Sequence, residues 1–132
     1  MITQALKDSL KKNFGFSTFR PLQEKVISAV MDKKDVLVLM PTGGGKSLCY
    51  PLPATVLPGV TIVVSPLIAL MKDQVEGLVQ NGIAANYINS SLSQEEAAEV
   101  EQAVRDGEVK LLYVSPEKLV SSYFQRFLTE IE

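Results

Sequence analysis

The residues best suited to chemistry concentrate in one stretch, DVLVLMPTGGGKSLCYPLP, residues 35–53. Gly43, Gly44 and Gly45 stand between an apolar run and the pair Lys46-Ser47. Glycine loses more conformational freedom on folding than any other residue, so three in a row need a reason. Glycine also adopts positive φ and lets the backbone approach a ligand closely. A chain turning here directs its amides into one concavity, with a helix N-terminus near Lys46 behind it, and that arrangement binds phosphate. The candidate phosphate ligands are Thr42 and the backbone of Gly43, Gly44, Gly45, Lys46, Ser47 and Leu48. The Lys46 ammonium can reach the outer phosphates and the Ser47 hydroxyl can coordinate magnesium. The strict phosphate-loop pattern places glycine six residues before the lysine, where this chain has Met40. A glycine-rich turn followed by a chance Lys-Ser pair is therefore the plainer alternative. Cys49, just beyond, reads as a small core residue rather than a redox centre.

These residues need a scaffold, and the apolar pattern supplies one. Runs at 35–40, 60–64, 83–88 and 109–114 read as strands. The first, second and fourth are nearly continuous in Val, Leu and Ile, as strands covered on both faces are. Helical patterns fall between them. One spans 67–80 and stops at Asn81-Gly82. Another spans 94–106, entered through Ser93 with Glu96 three residues on, a capping box, and ended by Gly107. Helices are also predicted at 3–13 and 21–31, and at 116–132 with a break near Ser121-Ser122. Alternating strands and helices predict an α/β fold of about four strands, a parallel sheet with helices on both faces.

Two further segments repeat one design, TIVVSPLIALMKDQV (61–75) and KLLYVSPEKLV (110–120). In each, a strand ends at serine, proline follows and a helix begins. Ser65 and Ser115 are N-cap candidates, and Pro66 and Pro116 suit the first helical position, where the missing N–H costs nothing. In a parallel sheet these helix starts emerge at the carboxyl edge, where ligands bind. They could hold a phosphodiester backbone through amides and hydroxyls rather than lysines. Ordinary helix capping accounts for the same residues.

Bulk properties narrow the classes. The chain has 132 residues, 46% of them hydrophobic and 21% charged, which suits one globular domain. Its formal net charge of −2 gives no bulk support for a nucleic-acid partner. One cysteine cannot form an internal disulfide, and the absence of histidine removes the usual zinc ligand sets. No apolar run approaches the roughly 20 residues of a membrane span. The N-terminal MITQALKDSLKKNF has helical periodicity and carries Asp8, unlike a signal peptide. A soluble cytoplasmic protein is expected.

FGFSTFRPLQ (14–23), MPTGGGKSLCY (40–50), VVSPLIALMKDQV (63–75) and LLYVSPEKL (111–119) resemble, in order, the first motifs of RecQ-type DNA helicases. That family has methionine or alanine at the position of Met40. The resemblance covers nearly the whole chain and implies a RecA-like phosphate-loop NTPase fold, with ATP and Mg2+ as cofactors and single-stranded or partly duplex DNA as partner. It also implies work in DNA repair and recombination, in a bacterial nucleoid setting. By position, Gln23 would hydrogen-bond the adenine edge while Arg20 and Phe16 stack on its faces. Phe14 and Phe19 would be core. Residues 1–33 would form a helical adenine-recognition segment. Lys46 and Ser47 would take the catalytic phosphate and magnesium roles. Ser65, Pro66 and Leu67, with Lys72, match one segment that follows single-stranded DNA, and Ser115, Pro116 and Glu117 match a second. Lys118 stands where arginine is commoner, which removes a bidentate contact. Asn89-Ser90-Ser91 is assigned to a loop near the DNA path, and the acidic 93–108 segment to a solvated outer face.

ATP hydrolysis requires carboxylates to anchor magnesium through its waters and to orient the attacking water. The family carries them in an Asp-Glu motif at the end of a later strand, and this sequence contains no Asp-Glu pair. The chain therefore reads as the front part of the first motor domain, requiring the rest of its motor for turnover, and residues 36–39 would have unpaired strand edges without later strands. Two readings compete. A small nucleotide kinase or GTPase would share the phosphate loop but has no use for FRPLQ upstream, and a non-catalytic remnant would bind nucleotide or DNA without turnover.

Overall fold

The computed structural model describes residues 3–19, 21–37, 51–57 and 59–130. It divides into two compact units, Met1–Pro58 and Gly59–Glu132.

In the first unit, helix α1 (Gln4–Ser9) starts at Thr3, whose hydroxyl accepts from the Leu6 amide at 3.3 Å. It widens into a π-helical turn, Leu10–Phe14, so the helix predicted at 3–13 is present with a different last turn. Gly15, at φ 76°, closes that turn and returns its N–H to the carbonyls of Leu10 and Lys11, a left-handed cap that favours glycine. Helix α2 (Pro21–Met31) has the predicted bounds. Helix α3 spans Pro51–Val56, and the helix start predicted near Lys46 lies outside the described residues. Leu6, Leu10, Ile27 and Leu52 meet in a buried cluster, with Phe14 and Phe19 packed against it. A polar chain ties α1 to α3. Asn13 Nδ2 donates to Ser9 Oγ (3.0 Å), Ser9 lies 2.6 Å from Thr55 Oγ1, and Thr55 Oγ1 donates to the Leu52 carbonyl (2.7 Å). Thr55 has only one hydroxyl hydrogen, so Ser9 must be the donor to Thr55.

The second unit is a three-stranded parallel sheet in the order β1-β3-β2. Strands β1 (Thr61–Val64), β2 (Ala85–Ile88) and β3 (Leu111–Val114) correspond to three of the four predicted runs. Thr61 and Ala85 both pair with Leu111, and Val64 and Ile88 both pair with Val114, so all three strands run in step. β3 is central and every residue in it is buried, which explains its unbroken apolar run. Helix α4 (Ile68–Gln80) leads from β1 across to β2, and α5 (Gln94–Arg105) leads back from β2 to β3. Right-handed crossovers in opposite directions place their helices on opposite faces. Packing agrees. Ile88, Leu112 and Val114, of one parity, join Val100 and Val104 of α5 and Phe124 and Phe127 of α7 (Ser122–Glu130) in one cluster. α4 packs along β2 and buries Met71, Val75 and Leu78. Each fully buried aliphatic or aromatic side chain contributes about 1.5–3 kcal/mol, so β3 and its two covers hold this unit together.

Three expectations change. Residues 35–37, the described part of the first predicted strand, are not in a strand, and Leu37 is 89% exposed. Among the described residues no neighbouring strand pairs with them, and an unpaired strand leaves its backbone groups unsatisfied. Pro66 is not at a first helical position. α4 begins at Ile68 with Leu67 as its cap residue, and Ser65 Oγ instead accepts from the Leu67 amide (3.1 Å) in a tight turn. Ser115 behaves as predicted, accepting from the Lys118 amide (3.3 Å) with Pro116 opening α6 (Pro116–Leu119). The acidic helix α5 is not wholly solvated, since Val100, Glu101 and Val104 are buried. The break near Ser121 is real. Its hydroxyl donates to the Lys118 carbonyl (2.8 Å) and accepts from the Phe124 amide (3.2 Å), ending α6 and starting α7.

The capping box of α5 is complete. Ser93 N–H donates to Glu96 Oε1 (2.9 Å) and Glu96 N–H donates to Ser93 Oγ (3.1 Å). The Ser93 backbone N–H, then its side chain, hold the Glu96 carboxyl below the ordinary glutamate range. A carboxyl depressed by folding contributes stability above its unfolded pKa and loses it as pH falls through the folded value. Thermal unfolding of the wild type and Glu96→Gln should therefore differ by a constant margin between about pH 5 and 7, and the margin should shrink below about pH 4. A margin independent of pH would contradict this.

Candidate functional site

Three parallel strands in step end at the same edge, so the residues after them line up. Ser65 follows β1, Ser115 follows the central β3, and Asn89 follows β2. The Ser65 amide donates to the Val114 carbonyl at 3.0 Å, carrying the ladder one residue past β1 and fixing Ser65 beside Ser115. The two Ser-Pro segments, 65–67 and 115–117, are thus brought together as predicted. Pro66, Leu67 and Glu117 are exposed, as is Lys72 on α4. Each serine oxygen accepts from a local amide, and a hydroxyl that accepts still has its own hydrogen to donate to an oxyanion.

Asn89 is buried and orders the third strand end. Its Nδ2 donates to Met71 Sδ at 3.4 Å, linking β2 to α4. Its Oδ1 accepts from both the Ser91 amide (2.8 Å) and the Ser91 hydroxyl, and its carbonyl accepts from the Leu92 amide (3.2 Å). Ser90, Leu92 and Ser93 of this segment line a cleft of about 890 Å3, together with Asn89, Ser115 and Lys118 among others. Glu101 and Tyr123 also line it, and neither was anticipated. The signal for Glu101 was its spacing: Ala97, Glu101 and Val104 follow i, i+4, i+7, which places the carboxylate on the apolar stripe of α5.

In the first unit, Phe16 follows the Gly15 cap and is 58% exposed, a ring face open to a planar ligand. Gln23, in the first turn of α2, is 6% exposed. Arg20, Met40, Thr42, Gly43, Gly44, Gly45, Lys46, Ser47, Leu48 and Cys49 lie outside the described residues. Among the described residues no group of three His, Cys, Asp or Glu side chains could hold a metal ion, and no helix is long and apolar enough to cross a membrane.

Residues 20–132 match the DEAD/DEAH box helicase family, and the chain belongs to that family. Particular relatives narrow the likeness. The chain is 52% identical over 117 residues to the ATP-dependent DNA helicase RecQ of Haemophilus influenzae, covering 88% of this chain and 19% of that one. It is 47% identical over 120 residues to the helicase of the same name from Bacillus subtilis, covering 90% and 20%. It is 45% identical over 129 residues to the ATP-dependent DNA helicase Q1 of Mus musculus, covering 96% and 20%. The chain thus spans about a fifth of the length of these relatives. Its fold matches that of the DUF1998 helicase MrfA, solved bound to DNA, with a TM-score of 0.73 at 21% identity over 98% of this chain and 19% of that one. MrfA bound to DNA and AMPPNP gives a TM-score of 0.72 at 22% identity, again over 98% and 19%.

Replacing Asn89 removes the acceptor of the 89–92 turn and the link to Met71. Asn89→Ala should lower stability by about 1–3 kcal/mol in urea unfolding. It should also abolish the protection of the Ser91 amide from hydrogen exchange. An unchanged midpoint with Ser91 still protected would contradict the assignment.

Proposed function

We propose that the chain is the N-terminal portion of the first RecA-like motor domain of a RecQ-type helicase, a protein coupling ATP hydrolysis to 3′ to 5′ movement on DNA in repair and recombination. One observation carries the proposal: four motifs stand in order along a chain about half identical to helicases named RecQ. The shared sheet edge of the two Ser-Pro segments supports it, since both can then touch one strand.

Gln23 would read the adenine edge, with Phe16 and Arg20 on the faces of the base. The amides of residues 43–48, with Thr42, would cradle the phosphates. Lys46 would neutralise phosphate charge and the Ser47 hydroxyl would hold Mg2+, and this donor set suits a magnesium nucleotide. Held there, the ion would supply positive charge to offset that of the phosphates. Ser65, Pro66, Leu67 and Lys72, with Ser115, Pro116 and Glu117, would take the phosphodiester backbone through hydroxyls and amides, which suits a chain of net charge −2. A sequence without an Asp-Glu pair lacks the carboxylates that position magnesium and water, so residues 1–132 alone would bind without turning over. The resemblance to RecQ-type helicases would place the protein in the cytoplasm, in association with the nucleoid.

A labelled-nucleotide binding measurement tests this. With Mg2+ the 132-residue chain should bind ATP in preference to GTP, Lys46→Ala should weaken binding by about tenfold or more, and phosphate release should stay at background with or without single-stranded DNA. Guanine preference would favour a GTPase-type protein, and DNA-stimulated release abolished by Lys46→Ala would show that the chain is catalytically sufficient.

A further inference from the structure

The cleft beside Ser115 holds a group that neither nucleotide nor DNA binding explains. Glu101 is 1% exposed. Its Oε2 accepts from the Tyr123 hydroxyl at 3.0 Å, and its Oε1 is buried with no hydrogen-bond partner among the described residues. A buried carboxylate with a single donor has lost its hydration without adequate replacement. The cleft is large enough for a ligand group, about 890 Å3 against roughly 300–1,000 Å3 for typical binding pockets.

The lining indicates the class of ligand. Its carboxylates and ammonium groups are those of Glu101, Glu117 and Lys118, a formal charge of −1. Lys118 does not reach Oε1. Its ammonium lies over the Tyr123 ring, 5.7 Å from the centroid, so that ring already attracts a cation. Tyr123 is 57% exposed, an aromatic side chain at the cleft of the kind that anchors protein contacts. Ala97, Ala98 and Leu92 line the wall and suit an alkyl stem. At the buried, half-satisfied Glu101 carboxylate a cation is favoured over an anion. A guanidinium is weakly hydrated, stacks on aromatic rings and presents several donors at once.

We infer that this cleft is a docking site for an arginine side chain of a protein partner, with Glu101 Oε1 as its acceptor and Tyr123 as its stacking face. The inference rests on Glu101 and Tyr123 and not on the nucleotide or DNA assignments, although Ser115 and Glu117 line this cleft and also belong to the proposed DNA surface.

The test titrates the 132-residue chain, with glutamate carboxyl carbons labelled, with Nα-acetylarginine amide and separately with its neutral isostere, Nα-acetylcitrulline amide. The Glu101 carboxyl and Tyr123 ring signals should move saturably with arginine, and citrulline should bind about tenfold more weakly or worse. Glu101→Gln should weaken arginine binding about tenfold, with circular dichroism confirming that it folds. The comparison of the two ligands on the wild type needs no variant, so a misfolded Glu101→Gln protein leaves the test intact. Equal affinity for arginine and citrulline would overturn the inference, as would arginine binding undiminished in a folded Glu101→Gln protein. Movement of the Glu101 signal by a single-stranded oligonucleotide but not by arginine would also overturn it, and would mark a nucleobase pocket instead.

Discussion

The parallel pairing of β3 with both neighbours is the constraint on which the second unit depends. Thr61 and Ala85 share Leu111 as partner, and Val64 and Ile88 share Val114. Three strands locked in step must end together, and only then do Ser65, Ser115 and Asn89 fall along one edge. A one-residue slip of β1 would turn Ile62 away from the α5 and α7 cluster and move Ser65 out of line with Ser115. Burial of every β3 residue makes such a slip costly, so the core that stabilises the sheet also sets the geometry of its edge.

Around that edge the polar groups work at short range. Ser115 caps α6, Ser65 closes a turn, Asn89 folds the loop that opens the cleft, and Ser121 both ends one helix and starts the next. Each satisfies backbone groups that strand and helix ends leave unpaired. Glu101 is the exception, half satisfied and buried. Polar groups left in that state within a folded core are uncommon.

Much of this was legible in the sequence because the signals are local. Pro21–Met31 has its predicted bounds, and the Ser93–Glu96 box has both of its hydrogen bonds. The three found strands differ from their predicted runs by only one or two residues, all at the N-terminal end. What was missed depends on tertiary context. Ser65-Pro66 and Ser115-Pro116 look alike on paper, yet only the second caps its helix, because α4 starts two residues beyond Pro66. Residues 35–37 have strand composition and no partner strand among the described residues. Glu101 was counted with its acidic neighbours, although Glu95 and Glu99 are exposed and Glu101 lies on the buried stripe of the same helix. Net charge gave no support for a nucleic-acid partner and did not exclude one, since a sum over the chain does not register hydroxyls and amides gathered at one edge.

The central claim is that the two Ser-Pro segments form one surface for a DNA strand. A titration of the uniformly 15N-labelled chain with a short single-stranded oligonucleotide tests it most directly, reading the amides of Leu67, Ile68, Glu117 and Lys118. The account predicts that these four shift together along a single saturation curve that weakens as salt rises. Shifts confined to other residues, or one segment responding while the other stays still, would contradict it.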